Sequence, residues 1–377
     1  MTSWRYIGPP SFEKAGPRVS LSQWKSHFGG SDPLFTFTCR SAIAAGCSLL
    51  NLAPGDEVLV PDYHCGSEMD VLIALGLEPR VFHVDDSFGI CWDEIERLMT
   101  DKTRALYLIG YFGIRPPMER ARAFCDTHQL RLIEDAALTL LSDHSQGLEA
   151  DLMVASLPKF LGCMHGGLLL SRMDSNRIPP GRVPPSARRS SDALRLARRS
   201  VLRSLGHSIF RQVGGRIERS TQHPIGPVGT EVPQMPSSYF FDAESASDWM
   251  CSTWVVSSMC SIDLDLIRSA AVRANQIVLD AAPWSSDWRL ISPPPSDTIL
   301  SPVIALEAPN VKSADHAAGV LGPCASRWWN GRHPRLSALE GDATRRRKDR
   351  TLAIRVHHQM SDSDLGYLID LMSSVAH

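Results

Sequence analysis

Leu152-Met153-Val154-Ala155-Ser156-Leu157-Pro158-Lys159-Phe160-Leu161-Gly162-Cys163-Met164-His165-Gly166-Gly167-Leu168-Leu169-Leu170 joins two short apolar runs through a turn that holds one lysine and a glycine pair. Each run has the length of a buried strand, and the predicted strands are 152–156 and 167–170. Outward from this stretch the pattern repeats. Further strands are predicted at 34–38, 57–60, 80–84, 105–109 and 130–134. Helix-length amphipathic segments lie between them at 41–50, 68–75, 92–99 and 118–127. Turn residues such as Pro54-Gly55 and Pro116-Pro117 punctuate them. This alternation predicts an α/β domain built on a mostly parallel seven-stranded sheet.

Beyond residue 171 the texture changes. Residues 177–219 carry eleven arginines against Asp192 and Glu218, with an apolar stripe at Leu194, Ala197, Val201, Leu205 and Ile209. This reads as an exposed connector helix, with anionic lipid as the alternative contact. A long helix at 262–281, a break at Pro293-Pro294-Pro295, a strand at 299–306 and a last helix at 362–375 predict a smaller α+β domain. The division is therefore 1–240 and 241–377.

Composition removes several classes of function. Of 377 residues, 39 are Lys or Arg and 41 Asp or Glu, for a formal charge of −2. No apolar run approaches the ~18 residues of a membrane span, and MTSWRYIGPPSFEKAG lacks the apolar core of a secretory signal, so the expected location is the cytoplasm. The nine cysteines stand singly, supporting neither a disulfide framework nor a metal site. No nucleic-acid module is recognisable. Lysine is scarce: six occur, and Lys159 is the only one between Lys102 and Lys312.

In open α/β sheets ligands collect at the carboxyl ends of the strands. There, Cys39-Arg40-Ser41 opens a helix whose N-terminus suits a phosphate. Leu132-Ile133-Glu134-Asp135 ends in acids, and Asp135 is either a helix cap or a functional carboxylate. Lys159 sits in an apolar turn that disfavours an ammonium and favours the neutral, nucleophilic amine. Together these match pyridoxal 5′-phosphate. The cofactor needs an amine for its aldehyde, a carboxylate for its pyridine nitrogen and donors for its phosphate.

The chain also resembles the DegT/DnrJ/StrS sugar aminotransferases, within fold type I of the pyridoxal-phosphate enzymes. The resemblance runs from about Thr38 to Leu170. It rests on Pro54-Gly55-Asp56-Glu57-Val58, Glu134-Asp135-Ala136-Ala137, Lys159 followed by Gly166-Gly167, and Tyr111-Phe112-Gly113, with a fainter echo at His357. It implies that Lys159 bonds covalently to the cofactor aldehyde, Asp135 pairs with the pyridine nitrogen, and Ser156 with the amides of Arg40 and Ser41 holds the phosphate. It also implies a homodimer with the site at its interface, a glutamate donor and a nucleotide-linked keto-sugar acceptor.

Several positions depart from the family. Leu138 stands where Gln or His is usual, and Cys65 stands where an aromatic stacks on the ring. Arg40 replaces the glycine of the phosphate loop, and His165 replaces a Glu. The segment that normally offers an Asn to the neighbouring subunit has no counterpart around Ser247 to Met250. His165, Tyr63 and His64 are candidate substrate contacts, with structural packing as the plain alternative. Trp328-Trp329 either line an acceptor pocket or fill the small domain, and Arg345-Arg346-Arg347-Lys348 reads as a solvated face. An aminotransferase is the leading expectation. A catalytically silent relative, or a pyridoxal-phosphate enzyme of another reaction type, is the alternative. Relatives that act as sugar dehydratases lack the lysine, so Lys159 argues against that branch.

Overall fold

A computed structural model describes residues 22–144, 148–161, 163, 165–173, 240–243, 250–251, 253–281, 284–329 and 331–375. The arginine-rich segment 177–219 lies outside them. The first part of the chain forms α1 (Ser22–His27), β1 (Leu34–Thr36), α2 (Cys39–Leu49), β2 (Glu57–Pro61), α3 (Ser67–Ala74), β3 (Glu78–Phe82) and α4 (Trp92–Leu98). It continues through β4 (Thr103–Ile109), α5 (Met118–His128), β5 (Arg131–Asp135), β6 (Leu152–Ser156), α6 (Leu157–Phe160) and β7 (Gly167–Ser171). The seven predicted strands are all present, each within a few residues of its expected bounds.

They form one sheet in the order β1-β7-β6-β5-β4-β2-β3. Strands β2 to β6 are mutually parallel, β7 runs against β6, and β1 runs against β7. Strands β4, β5 and β6 read as nearly continuous apolar runs because both faces of the sheet are covered. Leu106, Tyr107, Leu132, Ile133, Met153 and Val154 are all buried. The parallel order brings the carboxyl ends of β2, β4, β5 and β6 to one edge.

The second part forms α7 (Thr253–Met259), α8 (Leu264–Asp280), β8 (Arg289–Leu290), β9 (Val303–Glu307), α9 (Val311–Leu321), β10 (Ala325–Arg327), α10 (Asp342–Arg350), β11 (Thr351–Arg355) and α11 (Asp362–Ser373). Strands β10-β11-β9-β8 make an antiparallel sheet. Its core joins Ile304, Leu306, Leu352 and Ile354 to Leu321, Leu368 and Met372. A capping box at Ser361 and Asp364 starts α11. The helices that precede this sheet also serve the first one. Met259, Ile262, Leu264 and Ile267 pack in the same cluster as Trp24, Phe28, Met153 and Leu168.

The expected solvated face at 345–348 is corrected. Arg347 and Lys348 are buried, with Arg347 over the rings of Tyr63 and Phe88, and Lys348 paired with Glu340 at 2.5 Å. A helix buries one stripe whatever its charge, and here that stripe faces Tyr63, Phe88 and the buried carboxylate of Glu340.

Candidate active site

The two acids that end β5 point to opposite faces of the sheet, as successive strand residues must. Glu134 turns to Arg115, which forks onto its carboxylate at 2.9 and 3.0 Å. Asp135 turns into a cavity at the sheet edge. Tyr107 Oη donates to its Oδ2 at 2.7 Å and the Ala137 amide to its Oδ1 at 2.8 Å. Both bonds favour the carboxylate, but burial, followed by the charge of Glu68, outweighs them and pushes the Asp135 carboxyl up to about 6.

Lys159 lies in α6, a single turn that begins where β6 ends and carries Pro158 near its start. The side chain is half-buried, with Nζ 5.8 Å from the ring centroid of Trp328. Trp328 is fixed by its backbone: its carbonyl accepts from Tyr63 Oη at 3.1 Å, and its amide donates to the Thr351 carbonyl at 3.0 Å. Gly166 and Gly167 are required for two separate reasons. Gly166 has φ +149, a conformation that side chains disfavour. Gly167 has no room for a side chain, since a Cβ there would sit 2.2 Å from the Thr38 carbonyl oxygen. Their absence of side chains lets β7 press against the turn between β1 and α2.

That turn forms the next wall. Thr38 caps α2 and accepts the Ser41 amide at 3.1 Å, while Arg40 lies in the first helical turn, where amides lack intrahelical acceptors. Ser156 caps α6 without using its hydroxyl for the cap. An anion at this edge would meet a helix N-terminus, a guanidinium and a hydroxyl.

The cavity, of about 190 Å³, is lined by Arg40, Cys65, Asp135, Leu138, Ser156 and Lys159, all expected, by Trp329, for which pocket lining was one of two readings, and by others that were not expected, among them Glu68 and Ser67. Ser41, Tyr63, His64 and His165 do not line it. The Ser41 amide is taken by the Thr38 cap. Tyr63 is fully buried and spends its hydroxyl on Trp328. His64 is buried with neither ring nitrogen meeting a hydrogen-bonding partner among the described residues. His165 packs its ring 4.6 Å from that of Phe37. The chain turns inward after β2, so Tyr63 and His64 enter the core and Cys65 alone reaches the cavity.

Glu68 was missed because an acid in a first helical turn has an ordinary local explanation. The available signal was a second acid seven residues past the end of β2, in the first turn of the next helix. Tyr107 was hidden in an apolar run, where strand alternation could have paired it with Asp135. The donor set fits pyridoxal phosphate: Asp135 for a pyridinium, Lys159 for an aldehyde, and Arg40, Ser156 and the start of α2 for a phosphate.

The DegT/DnrJ/EryC1/StrS aminotransferase family is matched over residues 27–171. Among solved structures the chain is similar to the aminotransferase TlmJ from Streptoalloteichus hindustanus, at 19% identity over 99% of this chain and 98% of that one, with a TM-score of 0.66. It is similar to NtdA from Bacillus subtilis, whose structure contains bound PMP, at 16% identity over 97% and 78%, TM-score 0.60. It is also similar to the sugar aminotransferase CalS13 from Micromonospora echinospora, at 15% over 91% and 87%, TM-score 0.60. At these identities the likeness establishes a shared fold that extends well past the matched residues.

Proposed function

We propose, from the match of residues 27–171 to the DegT/DnrJ/EryC1/StrS aminotransferase family, that the chain is a sugar aminotransferase dependent on pyridoxal 5′-phosphate. It moves the amino group of an amino acid, glutamate, to a nucleotide-linked keto-sugar. It acts as a cytoplasmic homodimer in polysaccharide or secondary-metabolite synthesis. Among the described residues no helix is long and apolar enough to cross a membrane. The observation that carries the reading is the convergence of Asp135 and Lys159 from adjacent parallel strands on one cavity.

When bound, the cofactor supplies an aldehyde and an electron sink. The residues do the rest. Asp135, anchored by Tyr107 and the Ala137 amide, holds a proton on the pyridine nitrogen by offering a carboxylate. Arg40, Ser156 and the α2 N-terminus bind the phosphate. Lys159 Nζ would carry a proton between the substrate Cα and the cofactor's C4′. Trp329 lines the cavity, and the Trp328 ring lies 5.8 Å from Lys159 Nζ.

A half-reaction screen tests this. Loaded protein should lose its near-visible absorbance with the right amino acid and regain it with a keto-sugar. Lys159→Ala should lose absorbance and turnover together, and turnover retained in that variant would overturn the assignment.

A further inference from the structure

The cavity holds two kinds of nucleophile, the amine of Lys159 and the thiols of Cys39 and Cys65. An aldehyde entering it meets both. Sulfur attacks as thiolate, not as thiol, so the protonation of Cys65 decides which atom wins. Cys65 is bound to Glu68 at two points. Its Sγ donates to Glu68 Oε2 at 2.6 Å, and its amide donates to Glu68 Oε1 at 2.9 Å. Ser67 Oγ lies 2.9 Å from the same sulfur and also donates to Glu68 Oε2 at 3.3 Å. Glu68 is itself buried, so its carboxylate depends on these donors.

We propose that Glu68 is a positioning residue that keeps Cys65 a protonated thiol, so that an aldehyde in this cavity reacts with the Lys159 amine and not with sulfur. The inference rests on the function proposed above for its consequence, but the Glu68–Cys65 geometry is independent of it.

Two effects act through Glu68. Its oxygen needs the S–H as donor, and its charge opposes a second anion beside it. Burial comes first and Glu68 next in pushing the Cys65 thiol up to about 12, against the pull of Lys159 and the Ser67 hydroxyl. Cys39 is likewise raised, by burial and then by Asp135. In the reaction that is prevented, the thiolate would add to the carbonyl carbon, the π pair would move to oxygen, and the oxygen would take up a proton. The carbon would then be held as a hemithioacetal until the sulfur left again, whereas the addition of the amine goes on to release water.

The test uses full-length protein without cofactor. Alkylation of Cys65 by iodoacetamide is followed against pH by site-resolved mass spectrometry, with exposed Cys91 as internal control. In Glu68→Gln the midpoint of the Cys65 rate profile should fall. Below it the rate should rise about tenfold for each pH unit of that fall. Glu68→Asp, which keeps a carboxylate beside the sulfur, should hold the rate near that of the unmodified protein, and it keeps the proposal open to test should Glu68→Gln fold poorly. An unchanged Cys65 rate in Glu68→Gln, or an equal rise in Glu68→Asp, overturns the proposal. Borohydride reduction after adding pyridoxal phosphate should label Lys159 in the unmodified protein, and less so in Glu68→Gln. No label on Lys159 in the unmodified protein defeats the proposed function while leaving the alkylation result standing.

Discussion

Tyr107 and Asp135, on neighbouring parallel strands, meet through a 2.7 Å hydrogen bond, and with the Ala137 amide it leaves both oxygens of this cavity-lining carboxyl bonded. The phenol has no competing role, because burial first, and then the charge of Asp135, hold it protonated. Removing it in Tyr107→Phe takes away one of the two bonds that favour ionised Asp135. The carboxyl should then rise above about 6. On the role proposed for Asp135, cofactor loading should weaken as pH falls through about 6 in the unmodified protein. In Tyr107→Phe that weakening should begin at higher pH. Absorbance titrations with pyridoxal phosphate at stepped pH check this, and coincident curves would show that Tyr107 does not tune the site.

The same carboxyl makes cofactor-free protein sensitive to pH in a defined direction. Its folded-state value of about 6 lies above the 3.8 of the unstructured chain, so the native state binds more protons between the two. Stability contributed by this group is present below about 4 and lost as pH rises through about 6. Thermal unfolding of unloaded protein should therefore show a downward slope across that window. Asp135→Asn should flatten it, and added cofactor should restore stability above it by mass action.

Gly167 has consequences beyond its own strand. It pairs with Ser156 across the β6–β7 ladder and abuts the Thr38 carbonyl, so one missing side chain sets the distance between the α6 turn that bears Lys159 and the α2 N-terminus. Gly167→Ala should cost about 1–3 kcal/mol or more, because the atoms it meets are backbone and cannot rotate away. Its effect on the affinity for pyridoxal phosphate should exceed its effect on melting temperature, since the displaced turn carries the phosphate donors. An unchanged affinity in a folded Gly167→Ala protein would separate this contact from the site.

Strand identity and order of chemistry along the chain were legible because β4, β5 and β6 are buried on both faces and must be apolar, leaving Asp135, Ser156 and Lys159 conspicuous at their ends. What the sequence hid has a common cause. Tyr63, His64 and Cys65 are consecutive, and only the inward turn after β2 decides that the first two become core. Ser41 looked free for an anion until the Thr38 cap claimed its amide. Arg347 and Lys348 read as solvent-facing because charge implies exposure unless partners are known. Their partners, Asp86, Glu340, Tyr63 and Phe88, lie up to hundreds of residues away. Glu68 was obscured by a sound local explanation as a helix-terminal acid.

The pair Lys348 and Glu340 gives the last prediction. Both side chains are wholly buried, with Nζ 2.5 Å from Oε1, and Arg332 Nε lies 3.4 Å from the other oxygen. Arg332 also reaches Asp349 at 2.9 Å, so the group ties the segment after Trp329 to α10. Burial, the leading effect, lowers the Lys348 ammonium below its usual range despite Glu340. Such a pair is strongly destabilising to break and nearly neutral to replace, because the cost lies in the uncompensated charge. Glu340→Leu and Lys348→Met alone should each lose about 3–5 kcal/mol. Joined as Glu340→Leu with Lys348→Met, the loss should shrink well below the sum of the singles. Denaturant unfolding of the four proteins completes the cycle. Additive losses would mean that the two side chains contribute to stability independently, through packing and not through their charges.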